Sequence, residues 1–162
     1  KVGSEPVLEL KDIIEETQLS FEYLKSRFSN QVDFQFNAPD KKIMVSLNSA
    51  LHSWTIENMI KNAIDAMKGK GSLTLDIIEA DKTVAIFISD TGKGIPKSKF
   101  DAIFQPGFTT RKRGWGLGLS LTKRIIENYH QGQVFVKESE IGKGTTFRII
   151  LKSSLKYVPT TK

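Results

Sequence analysis

The sequence contains no cysteine and only two histidines, His52 and His130. These absences exclude a disulfide, a thiolate metal cage, a cysteine nucleophile and an all-histidine zinc site. No stretch approaches the ~18 uncharged apolar residues of a membrane span. Residues 1–20 also lack the basic start, apolar core and small-residue cleavage site of a secretion signal. A chain without cysteine fits a reducing compartment, so the expected location of this domain is the cytoplasm. Internal repeats and low-complexity runs are missing too, which excludes solenoid and linker-like readings.

What is present suits a single globular unit, since 162 residues match one domain at the usual ~150 residues each. Hydrophobic residues make up 39% and charged residues 26%, a balance that folds rather than one that stays disordered. Lys and Arg outnumber Asp and Glu 24 to 18, which favours an anionic partner. Lys97, Lys99, Arg111, Lys112 and Arg113 fall in one loop-like stretch between two glycine motifs, not in a basic stripe interleaved with aromatics. The pattern points to a local phosphate site and away from nucleic acid.

Residues 1–6 and 153–162 lack periodicity and read as a linker stub and a flexible tail around a folded unit at 7–152. A short alternation at Val7–Leu10 leads to Asp12, a helix cap, and then to Ile14, Phe21, Leu24 and Phe28 at helical spacing. Val32, Phe34 and Phe36 alternate with polar residues. With a second strand over Lys42–Leu47 they predict a hairpin-like pair turned at 37–40. Asn48 caps the next helix, whose apolar stripe is expected to run from Leu51 and Trp54 through Met59 and Ile60 to Met67. Strands at 73–77 and 84–88 follow, the second ending in Asp90-Thr-Gly-Lys-Gly94-Ile95. Residues 96–115 show no period and read as a lid. Gly114–Gly118 opens a helix to about Asn128, and strands at 133–137 and 145–151 close the domain. This order predicts an α+β fold: a two-layer α/β sandwich with a mixed, mostly antiparallel sheet and helices on one face.

Familiar nucleotide signatures fail letter by letter. No Gly-Lys pair is followed by Ser or Thr, and Leu119 stands where the last Rossmann glycine belongs. Separate elements make chemical sense around a nucleoside triphosphate instead. Asn58 and Asn62 lie one turn apart on one helix face, where amide oxygens can complete the shell of a magnesium held by phosphates. Asp90, delivered by a buried strand into a glycine turn, can accept a hydrogen bond from the exocyclic amine of adenine. Gly116, Leu117, Gly118 and Leu119 at a helix start offer backbone N–H groups and the positive end of a helix dipole to polyphosphate. Taken singly, Asp90 also reads as a turn-former and Asn62 as a surface polar residue; together they favour a nucleotide.

These elements, in this order, resemble the catalytic ATP-binding domain of sensor histidine kinases, within a superfamily that also holds gyrase and MutL. The resemblance covers an N-box at 57–67, a first glycine box at Asp90–Ile95, an F-box at Phe104–Phe108, a second glycine box at Gly114–Gly118 and a last one at Gly142–Phe147. It implies a Bergerat-type sandwich that binds ATP with Mg²⁺ and passes the γ-phosphoryl group to a histidine on a dimerisation domain of the same parent protein. A response regulator acts downstream, and any membrane anchor belongs to other parts of the parent.

On the same resemblance, Asn62 is the magnesium asparagine, with Asn58 beside the phosphates. Asp90 reads adenine, Gly92 and Gly94 let the chain turn beneath the base, and Ile95 forms an apolar wall. Phe104 and Phe108 anchor or hinge the lid, although both also suit the core. Arg111, aided by Lys112 or Arg113, neutralises the γ-phosphate. Gly114, Gly116, Leu117, Gly118 and Leu119 cradle the triphosphate, and Thr145 reaches the adenine through a water. Trp115 departs from the small residue usual in that box.

Neither histidine is followed by the acidic residue and later proline of the family's phosphoacceptor box. The phosphorylated histidine is therefore expected outside this chain. Superfamily members that hydrolyse ATP carry a base glutamate one turn before the magnesium asparagine. Here Asn58 holds that place, and Glu57 is rotated by ~100° on the helix. Weak water activation suits transfer to a nucleophile supplied by another domain. An ATPase clamp and a serine kinase of the same superfamily are the alternatives.

Overall fold

The computed structural model describes residues 5–108 and 118–154. Strand β1 (Glu9–Asp12) runs directly into helix α1 (Ile13–Phe28). Asp12 makes that switch, because its Oδ1 accepts the Ile14 N–H at 3.1 Å as a helix cap. The same oxygen accepts the Ile43 N–H at 3.1 Å and so ties a later strand to this corner. β2 (Val32–Asn37), β3 (Met44–Leu47) and α2 (Ser49–Ala66) follow. The α2 cap is Asn48, whose Oδ1 accepts the Leu51 N–H at 3.0 Å. β4 (Gly71–Glu79) and β5 (Thr83–Asp90) lead to two 3-10 turns, Lys97–Lys99 and Ala102–Phe104. The chain then gives α3 (Gly118–Arg124), a π-helical turn at Ile125–Tyr129, β6 (Gln133–Glu140) and β7 (Gly144–Lys152).

Five strands form the main sheet in the order β2-β4-β5-β7-β6, antiparallel throughout except for the parallel β2–β4 pair. The expected mixed, mostly antiparallel α+β sandwich is therefore the fold. The hairpin expected across residues 32–47 does not form. β2 joins β4, whereas β3 returns to β1 in a separate antiparallel pair. Two interactions explain the divergence. Asp12 captures the Ile43 N–H at the entrance to β3, and Phe34 of β2 packs edge-on against Phe21 of α1 with ring centroids 5.5 Å apart. Alternation in sequence sets which side chains a strand buries and leaves its neighbour undetermined.

The core follows the two periodicities. Leu73, Leu75 and Ile77 of β4, and Val84, Ile86 and Ile88 of β5, are all buried, as are Ile56, Met59, Ile60, Ala63 and Ile64 of α2. Trp54 falls outside the expected stripe with 38% of its surface exposed, and His52 and Thr55 turn inward instead. Burial of His52 is made tolerable by a 2.8 Å hydrogen bond between its Nε2 and the Thr17 hydroxyl of α1. Desolvation lowers its pKa from 6.5 to about 3, and nearby His130 adds a smaller push in the same direction. His130 Nδ1 donates to the Ile125 carbonyl at 3.0 Å while its Nε2 accepts the Asn48 N–H at 3.1 Å. That pair of contacts fixes one neutral tautomer and joins the π-helical turn to the cap of α2. Among the described residues no helix is long and apolar enough to cross a membrane.

Candidate functional site

A cavity of about 570 Å³ opens between the second half of α2, the turn after β5, the 3-10 turns and the first residues of α3. Asn62 and Asp90 both line it, as do Gly94 and Ile95 of the turn. Phe108, Gly118, Leu119 and Thr145 complete the sequence-selected residues that meet there. The lining also includes Lys99 of the basic stretch, Ala66, Lys93 and Phe147, which fall inside the boxes without a role of their own, and Lys68, which no motif carried. Lys68, Lys93 and Lys99 share the lining with the carboxylates of Asp65 and Asp90. Lys99 was legible as part of the basic stretch between the glycine motifs, whereas Lys68 and Lys93 carried only the general excess of positive charge.

Asp90 ends β5 opposite Thr145 of β7 and is 7% exposed. Its Oδ1 accepts the Gly92 N–H at 2.8 Å and the Thr145 N–H at 3.3 Å. These bonds pin the carboxylate, and no described residue is hydrogen-bonded to its Oδ2. Desolvation raises the Asp90 pKa, while the Gly92 and Thr145 backbone bonds pull it down.

The turn beyond Asp90 is threaded between two backbones. A β-carbon at Gly92 would stand 2.6 Å from the Ala66 carbonyl oxygen at the end of α2. Gly94 has φ +82°, and a β-carbon there would overlap the Glu140 carbonyl. Around these glycines the Lys93 N–H donates to the Ala66 carbonyl at 3.0 Å, and the Gly142 N–H donates to the Lys93 carbonyl at 2.7 Å. Gly92 thus shapes the site from behind, without lining it.

Asn58 does not line the cavity. Its Nδ2 donates to the Thr122 hydroxyl of α3 at 3.1 Å, and a β-carbon at Gly118 would lie 3.1 Å from the same amide. Asn58 therefore seats the start of α3 against α2. Glu57 is also absent from the lining. Phe104 is buried at 6% exposure and packs edge-on to Phe147 at 6.2 Å, with Lys123 Nζ 5.3 Å from its ring centroid. It is a core anchor, whereas half-buried Phe108 forms part of the cavity wall. Arg111, Lys112, Gly114, Trp115, Gly116 and Leu117 lie outside the described residues.

Among the described residues there is no group of three or more His, Asp or Glu side chains able to hold a metal by themselves. The amide of Asn62 offers a neutral oxygen donor, which fits a hard cation that brings most of its oxygen ligands with an anionic partner.

The sandwich has the fold of solved histidine kinase catalytic domains. The nucleotide-free catalytic domain of histidine kinase ThkA matches with a TM-score of 0.80 over 90% of this chain and 95% of that one, at 23% identity, a likeness of fold. The family model described as histidine kinase-, DNA gyrase B-, and HSP90-like ATPase matches residues 47–155, and the chain belongs to that family.

Two relatives carry the likeness at the level of sequence. Sporulation kinase A of Bacillus subtilis (strain 168) is 42% identical over 92 residues, which are 57% of this chain and 15% of that protein. Sensor histidine kinase ZraS of Escherichia coli (strain K12) is 35% identical over 123 residues, 76% of this chain and 26% of its own length. The chain thus spans about a quarter or less of these relatives.

Proposed function

We propose that this chain is the Mg-ATP-binding catalytic domain of a sensor histidine kinase, which donates the γ-phosphoryl group to a histidine on a dimerisation domain of the same parent protein. The observation that carries this reading is the meeting of Asp90, Asn62 and the start of α3 in one cavity. Asp90 Oδ2, the carboxylate oxygen that no described residue engages, is the acceptor for the exocyclic amine of adenine, and Ile95 and Phe108 supply apolar walls for the base. Gly118 and Leu119 receive phosphates, and Gly114, Gly116, Leu117, Arg111 and Lys112 complete that end by resemblance to the family. Asn62 holds a magnesium ion together with the phosphates. The ion, when bound, supplies neutralisation of phosphate charge.

In the transfer, an imidazole nitrogen of the acceptor attacks the γ-phosphorus, the bond to the β–γ bridging oxygen breaks, and ADP leaves. The domain's own contribution is positioning and charge neutralisation in a cavity that, among the described residues, no glutamate lines. The burial of His52 and His130, each held in hydrogen bonds, supports an acceptor on another domain. Under this reading a response regulator takes the phosphoryl group next, and the domain works in the cytoplasm.

Calorimetric titration of the chain with ATP, with and without Mg²⁺ and with GTP as control, tests the reading. Magnesium-dependent, adenine-selective binding, negligible phosphate release, and acid-labile phosphorylation of an added histidine-bearing dimerisation domain are expected. Failure to bind ATP would overturn the proposal. Rapid phosphate release would replace it with an ATPase, and an acid-stable phosphoserine product with a serine kinase.

A further inference from the structure

Ser139 stands at the centre of three hydrogen bonds beside the cavity, yet it does not line it. Its position depends on an irregularity in β6. Val134 and Val136 face the core, and the β6–β7 register then shifts between Val136 and Glu138. After that bulge the odd-numbered position turns inward, and Ser139 sits opposite Thr145.

A serine hydroxyl has one proton and two lone pairs. The Ile95 N–H, 2.7 Å from Ser139 Oγ, can only donate and occupies one lone pair. The Gly144 carbonyl, 3.0 Å away, can only accept and takes the proton. The contact to the Thr145 hydroxyl at 2.7 Å is then satisfied only when Thr145 donates into the remaining lone pair. Thr145 lines the cavity, so with its proton spent on Ser139 it offers lone pairs alone to a ligand. Asp90 next to it does the same. The base end of the cavity therefore presents two side-chain acceptors.

We infer that Ser139 is a specificity-determining positioning residue: by fixing Thr145 as an acceptor, it makes the cavity favour a purine with an exocyclic amine over a 6-oxo purine. The inference rests on the nucleotide reading above. A 6-oxo group would set its lone pairs against those of Thr145 and Asp90, whereas a freed Thr145 hydroxyl can rotate and donate to that oxygen.

The test is the ratio of dissociation constants for ATP and inosine triphosphate, measured by calorimetry on the whole chain with Mg²⁺. Ser139→Ala narrows the preference for ATP by about tenfold, the scale of one buried hydrogen bond. Ser139→Thr keeps a hydroxyl and retains the wild-type ratio. Thr145→Val narrows the ratio by itself, and adding Ser139→Ala to it changes the ratio no further. A folded Ser139→Ala with the wild-type ratio overturns the inference, as does equal narrowing by Ser139→Ala in the Thr145→Val background. Should Ser139→Ala fail to fold, an unchanged ratio in Thr145→Val overturns it equally. A wild-type chain that binds no ATP overturns the nucleotide reading and this inference together; a selective wild type with an insensitive Ser139→Ala overturns this inference alone.

Discussion

Burial lifts the Asp90 pKa above its ordinary value of 3.8 in spite of two backbone N–H donors. A folded-state pKa above the unfolded one means that ionised Asp90 costs the fold stability at neutral pH, a cost relieved as pH falls through the folded value. Asp90→Asn keeps an acceptor for the Gly92 and Thr145 N–H groups and removes the charge. The expected outcome is a higher midpoint of thermal unfolding by calorimetry, together with ATP affinity reduced by about 1.5–3 kcal/mol, roughly 10- to 150-fold. His52 has the opposite sign. Its folded pKa of about 3 lies below 6.5, so its contribution is whole above pH 6.5 and is lost as pH falls toward 3. The slope approaches about 1.4 kcal/mol per pH unit within that window. Urea midpoints at pH 7 and pH 5 should differ less in His52→Gln than in the wild type. The motifs made Asp90 and Asn62 legible as candidates and the family resemblance added Thr145, and all three meet in one cavity. Ser139 was not legible, since only a bulge brings it inward.

Two joints between elements decide how firmly the site is held. Thr122 is fully buried, and its hydroxyl receives the Asn58 amide that seats α3 on α2. Thr122→Val preserves shape and leaves the Asn58 Nδ2 without that acceptor, so stability should fall by about 1–2 kcal/mol in urea titrations. ATP affinity should fall with it, because the first turn of α3 contributes Gly118 and Leu119 to the cavity. Asp12 is the second joint. Asp12→Ala removes the α1 cap and leaves the Ile43 N–H unpaired, and a loss of about 2 kcal/mol is expected from the same measurement. Helix caps and buried strands were readable from Asp12, Asn48 and the apolar run at 84–88. The partner of β2 was not, because its alternating side chains fit a hairpin and a parallel edge equally well until Phe21 selects the larger core.

At the scale of the molecule, the cavity shares Ala63, Ile103 and Phe147 with the buried core, and Asn62 stands apart from that shared wall. Asn62 borders the cavity and lies outside the buried hydrophobic cluster. Asn62→Ala should therefore melt within about 0.5 kcal/mol of the wild type, as substitutions away from core contacts usually do. The same variant should lose magnesium-dependent ATP binding and phosphotransfer to the dimerisation domain. A cooperative melt monitored by circular dichroism, paired with a radiolabel transfer assay, checks both halves.

The turn at Gly92–Gly94 carries a pharmacological consequence. Lys93 and Gly94 of this turn line the cavity, and the two glycines are braced from behind by the carbonyls of Ala66 and Glu140. An added side chain at either glycine collides with those carbonyls, so point mutation cannot add bulk at Gly92 or Gly94. Resistance to an inhibitor that leans on the Gly94 main chain would have to arise at residues with side chains to change, such as Lys93, Ile95 or Phe108. Compounds that take their contacts from the Gly94 backbone leave the protein few routes of escape at that position.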